Sequence, residues 1–123
     1  MTTEVTEVTW VAHRVEPSEL PGALALAESL GLTVADATSH HVELRTGRGD
    51  LVEYVTDEHG LPAHLFAGQQ VVVGLKVPDL EEAVARLSAR GFEVVAPPQS
   101  AGPVRFAHFR GPGGTVHALI ADA

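Results

Sequence analysis

Val71-Val72-Val73-Gly74-Leu75-Lys76-Val77, running on through Pro78-Asp79-Leu80-Glu81-Glu82-Ala83-Val84 to Arg90-Gly91, decides the fold. The first seven residues are a β-branched run and read as a strand. Asp79 stands three residues before Glu82, the spacing with which a helix start satisfies its free amides. Leu80, Ala83, Val84 and Leu87 then recur at i, i+3, i+4 and i+7, which lays one apolar stripe along a helix over about 80–90. Gly91 suits the left-handed position that ends it. Phe92-Glu93-Val94-Val95 follows as a short strand, stopped by Pro97-Pro98. Arg105 to Arg110 and Thr115 to Ala121 are two further strands, joined by the turn Gly111-Pro112-Gly113-Gly114.

Upstream, the same order recurs. Thr9 to Val15 reads as a strand, and Leu20, Ala23, Leu24 and Ala27 give a second apolar stripe on a helix near 18–30, ended by Gly31. Leu32 to Ala35, His41 to Thr46 and Leu51 to Val55 are the returning strands, with Gly47-Arg48-Gly49 as the matching turn. Leu20 corresponds to Leu80 and Gly31 to Gly91, while Gly49 corresponds to Gly114 and Arg45 to Arg110. The expectation is an α+β chain of two βαβββ modules, about 1–60 and 69–123, in a single domain over 1–123, with 57–69 as the linker. Each helix covers one side of four strands. The opposite sides are then free to form a cup-shaped sheet that offers inward side chains from many segments. A ferredoxin-like α+β domain is the competing fold.

Composition narrows the function. The chain has 123 residues, 45% of them hydrophobic, which suits one core. No run of 18 apolar residues exists, and Met1 to Glu7 is polar and acidic rather than built like a signal peptide, so a cytoplasmic location is expected. The absence of cysteine excludes disulfides and thiolate chemistry. A formal net charge of −8 argues against nucleic acid and anionic membrane surfaces as partners. Ala, Val, Gly and Leu dominate, and Lys76 is the only lysine, a composition like that of high-GC bacteria.

The segment Val77-Pro78-Asp79-Leu80-Glu81-Glu82-Ala83 through Arg90-Gly91-Phe92-Glu93-Val94 is similar to the second-module helix of the glyoxalase/bleomycin-resistance/dioxygenase superfamily, the vicinal-oxygen-chelate fold. Phe109-Arg110-Gly111-Pro112-Gly113-Gly114-Thr115 resembles that superfamily's last turn, usually written F-x-D-P-D-G-N, with the aspartates missing. The resemblance covers nearly the whole chain. It implies a function drawn from isomerases, ring-cleaving dioxygenases, epimerases, fosfomycin-modifying enzymes and metal-free antibiotic-sequestering proteins, so fold alone does not choose.

Relatives that use a metal place His or Glu ligands on the first and last strand of each module. Carried over, those positions are Trp10, Glu53, Val72 and Ala118, and only Glu53 can ligate. A one-residue slip would bring in His13 or His117, but it would also turn them to the helix side. No metal and no other cofactor is therefore expected. Alternation from Trp10 adds Arg14 to the inward face; the resemblance puts Phe109 at a core position, which turns Phe106 and His108 inward, and the correspondence of Arg45 with Arg110 does the same for His41 and Glu43. The expected ligand-binding set is Trp10, Arg14, His41, Glu43, Glu53, Val72, Phe106, His108 and Ala118. Trp10 either stacks on a planar ligand or fills the cup as core. Glu53 and His108 either form an acid/base pair or are ordinary strand residues.

Two functions fit. One is a metal-free binding protein that sequesters a small organic molecule, a drug or metabolite, as resistance members do. The other is an enzyme of lyase, isomerase or dioxygenase type that acts on a small secondary metabolite through Glu53 and His108. Relatives of this length are commonly homodimers, so a homodimer is expected.

Overall fold

The computed structural model describes residues 4–66 and 68–123. Its elements follow the order β–α–β–β–β twice, as the sequence pattern requires: eight strands and two α-helices in an α+β arrangement. The chain divides into two compact units. One is Trp10–Val71, and the other is Val72–Ala123 together with the residues up to Thr9.

Within Trp10–Val71 the strands are β1 (Glu7–Arg14, from Trp10 onward), β2 (Thr33–Ala37), β3 (His41–Arg45) and β4 (Leu51–Val55), with helix α1 (Leu20–Leu30). β1 runs parallel to β4, while β3 pairs antiparallel with both β4 and β2. The helix is entered through a short 3-10 turn, Pro17–Glu19, and leaves through Gly31 at φ 71°, a left-handed position that glycine occupies without steric cost. Leu20, Ala23 and Ala27 pack on Val42 and Leu44, with Val52 and Tyr54 beside them. One side of this half-sheet is thereby committed to the helix. The other side carries the alternate residues, among them Trp10, His41, Glu43 and Glu53.

The second unit holds β5 (Val71–Lys76, from Val72 onward), α2 (Leu80–Ala89), β6 (Glu93–Ala101), β7 (Val104–Arg110) and β8 (Val116–Asp122). Asp79 caps α2 by accepting the Glu82 amide at 3.1 Å, as its spacing implies. Leu80 and Ala83 pack on Ala107, Phe109, Leu119 and Ala121. β6 departs from the expectation. It does not stop at Pro97-Pro98 but continues to Ala101. It pairs with β7 alone within this unit, and its register shifts between Val94 and Ala96 and again between Ala96 and Gln99. Prolines that cannot donate to the ladder fall inside the second shift, at the edge of the half-sheet, where the missing bonds cost least.

The expected linker 57–69 carries two 3-10 turns, Asp57–His59 and Ala63–Leu65, and its Ala67 lies outside the described residues. Among the described residues no helix is long and apolar enough to cross a membrane.

Candidate functional site

The helix-free side of the Trp10–Val71 unit carries a polar group in which every member is placed by the local fold. Glu53 lies at the centre of β4, opposite Ala12 of β1 and Glu43 of β3. Small Ala12 leaves room beside it, and Glu53 is only 7% exposed. Trp10, one step back along β1, reaches across and donates its indole Nε1–H to Glu53 Oε1 at 2.7 Å. This is a short hydrogen bond to a charged acceptor in a site that water barely reaches. From the helix side, His13 Nδ1 lies 3.3 Å from the Glu53 carbonyl oxygen and holds the backbone of β4. Its ring stacks on Tyr54, centroids 4.6 Å apart.

His41 opens β3 and is 8% exposed. Its Nδ1 is 3.0 Å from Thr38 Oγ1, and its Nε2 is 3.4 Å from Asp36 Oδ2. His59 comes from the 3-10 turn after β4. The His59 amide donates to the Thr56 carbonyl at 3.1 Å, and Thr56 is anchored to the His40 carbonyl by both its amide and its hydroxyl. The turn thereby folds the chain back over its own strand. The His59 ring stacks on His41 with centroids 4.1 Å apart, and its Nε2 lies 3.8 Å from Glu53 Oε2. Burial pushes the His59 imidazole below its ordinary value, His41 beside it acts in the same direction, and Glu53 opposes them.

His41, Glu53 and His59 each offer one ligating atom, and those atoms all lie within 4.8 Å of one another. The positions at which the resemblance places metal ligands do not fit one. The Trp10 N–H is a donor already committed to Glu53, and Val72 and Ala118 have no ligating atom.

Of the other expected site residues, Glu43 shares this face, opposite Glu53, and the rest fall elsewhere. Arg14 lies at the rim, holding Asp57 through two hydrogen bonds of 2.6 and 2.7 Å. Arg14 holds the Asp57 carboxyl below the usual carboxylate range. Glu43 contacts Arg45 at 3.7 Å. In the other unit, His108 stands opposite Ala118, and Phe106 opposite Ile120. The rings of Phe106 and His108 are 5.1 Å apart, and Val72, Ala118 and His108 are all buried. Sequence reasoning missed His59, which it assigned to the linker. The available signal was weak: a histidine just past the last strand of the module, followed by Gly60.

A shallow cavity of about 210 Å³ lies against the helix side of the same unit, lined among others by His13, Arg14, Tyr54 and Gln70. None of its lining residues is buried, whereas Glu53 and His41 are. The Trp10–Glu53 face is the stronger candidate.

The sequence matches the family described as the Glyoxalase/Bleomycin resistance protein/Dioxygenase superfamily over residues 26–118. Among curated proteins, none matches in sequence. Solved structures that share the fold include three of known source. The Mn(II)-bound glyoxalase from Novosphingobium aromaticivorans is 16% identical at TM-score 0.75, the match covering 98% of this chain and 40% of that one. Methylmalonyl-CoA epimerase from Mycobacterium tuberculosis is 19% identical at TM-score 0.68, covering 100% of this chain and 92% of that one. A glyoxalase/bleomycin resistance protein/dioxygenase superfamily member from Vibrio splendidus 12B01 is 16% identical at TM-score 0.62, covering 98% and 100%.

Proposed function

The chain belongs to the glyoxalase/bleomycin resistance protein/dioxygenase superfamily, and from that premise we propose that it binds a small organic molecule against the strand face carrying Trp10 and Glu53, sequestering a drug or metabolite without a metal at the superfamily's usual positions. The observation that carries this reading is the 2.7 Å bond between the Trp10 indole and the buried Glu53 carboxylate. An aromatic plate held beside a carboxylate that contacts no Lys or Arg among the described residues suits a planar, cationic or hydrogen-bond-donating ligand. Burying such a carboxylate costs several kcal/mol unless a partner offsets it. The proposal includes a homodimer working in the cytoplasm. The test is a thermal-shift screen of metabolites and antibiotics, followed by titration of any hit through the fluorescence of Trp10, the only tryptophan. Trp10→Ala and Glu53→Gln are each expected to weaken binding tenfold or more while the protein stays folded. Unchanged affinity in Trp10→Ala with a silent indole would place the ligand elsewhere.

A second reading is an enzyme that moves a proton on its ligand. The approach of Glu53 to the His59 ring at 3.8 Å, with burial pushing that imidazole below its ordinary value, favours it. In this reading His59 partners Glu53 from within the same unit, the role the sequence suggested for His108. Turnover of a bound hit that disappears in both Glu53→Gln and His59→Gln separates the enzyme from the binder.

A further inference from the structure

We propose that His41, Glu53 and His59 together bind one divalent transition-metal ion, sharing only Glu53 with the four positions that the resemblance implies. The donor set comes from three separate segments: the start of β3, the middle of β4 and the turn after it. Two imidazoles and one carboxylate match the ligand preferences of zinc and its first-row neighbours, and three protein ligands leave a coordination position open for water or substrate.

The spacing favours a metal over a hydrogen-bonded cluster. Glu53 Oε2 and His59 Nε2 are 3.8 Å apart, too far for a hydrogen bond. Bonds of 2.0–2.1 Å in a tetrahedral site put neighbouring donors about 3.3 Å apart. A cation between the two atoms therefore needs only a small closing movement.

The surroundings already orient each ligand. Trp10 occupies Oε1 of Glu53 and leaves Oε2 free to ligate. Thr38 Oγ1, 3.0 Å from His41 Nδ1, fixes the orientation of that ring. Such outer partners set the tautomer and orientation of a ligating histidine. Charge points the same way. Glu53 is buried, stands directly opposite Glu43 on the strand ladder, and has the neutral Trp10 indole as its hydrogen-bond partner. A divalent cation would offset that local negative charge.

The probe is the metal alone. The full chain is stripped with chelator, dialysed, and titrated with Zn(II) at neutral pH, reading Trp10 fluorescence and melting temperature, with Co(II) absorption to report geometry. Expected are one ion per chain, a raised melting temperature, and ligand-field bands for Co(II). His59→Ala should weaken binding at least tenfold, and His117→Ala, in the other unit, should leave it unchanged. His41→Ala should behave like His59→Ala, but the ring is buried, so the partly exposed His59 on its turn carries the test if that variant fails to fold. A folded parent that takes up no stoichiometric Zn(II) or Co(II) overturns the assignment, as does His59→Ala binding as tightly as the parent. No organic ligand enters this experiment, so its failure leaves the proposed sequestration standing, and a failed ligand screen leaves the metal site standing.

Discussion

Trp10→Phe isolates the bond on which the site is built. Phenylalanine keeps a ring on β1 but removes the N–H that reaches Glu53 Oε1 at 2.7 Å. Glu53 is 7% exposed, so solvent replaces little of what is lost. A hydrogen bond to a charged group contributes about 1.5–3 kcal/mol, and an acceptor left buried without its donor sits toward the upper end. The substitution also removes ring area, so the informative quantity is a coupling energy. Glu53→Met keeps side-chain length without an acceptor. The cycle of parent, Trp10→Phe, Glu53→Met and the double variant should give a coupling of about 2 kcal/mol. For a chain of this size that corresponds to roughly 8 °C in melting temperature. Unfolding is followed by far-ultraviolet circular dichroism in urea with chelator present, because Trp10→Phe removes the only tryptophan fluorophore. A coupling below about 0.5 kcal/mol would refute the view that this bond holds a charged Glu53 in place.

Three further outcomes follow from the same structure. Asp79→Ala removes the cap on the Glu82 amide and should lower the unfolding free energy by about 1 kcal/mol, while Asp79→Ser should recover most of it, both read from urea midpoints. The Arg105 guanidinium, hydrogen-bonded to Glu81, holds that carboxyl below its ordinary value. A depressed carboxyl stabilises the fold above its unfolded pKa and loses that contribution as pH falls through the folded value, so Arg105→Gln should make stability less steeply dependent on pH between roughly 5 and 3. Light scattering at micromolar concentration should give twice the 12.9 kDa chain mass, and a monomer mass would remove the homodimer from the proposal.

Much of the fold was legible because the signals that specify it are local and repeated. Two stripes of apolar residues at helical spacing put Leu20, Ala23 and Ala27 in one core and Leu80 and Ala83 in the other. Gly31 and Gly91 then stop the helices at φ 71° and 89°, positions the chain pattern marks without reference to tertiary contacts. The error at Pro97-Pro98 shows where local reading ends. Whether a proline breaks a strand depends on whether its missing N–H faces a neighbour, and that is set by the place of β6 in the ladder, not by the residues around it.

The candidate site was legible only as far as strand alternation reaches. Alternation puts Trp10, Glu53, His41 and Glu43 on one side because period two is a property of extended backbone and needs no knowledge of partners. It says nothing of a residue beyond the strand's end. His59 enters the site because Thr56 ties the turn to the His40 carbonyl and brings the chain back over β4, a tertiary bond between residues 16 positions apart. Nor could the pattern along one strand show that Trp10 would spend its N–H on Glu53. That bond turns a tryptophan at a ligand position of the superfamily into the group that orients the one carboxylate left there. Trp10 on Oε1 leaves Oε2 on the side of His59, so in the proposed metal site the tryptophan of β1 is the group that orients the Glu53 carboxylate.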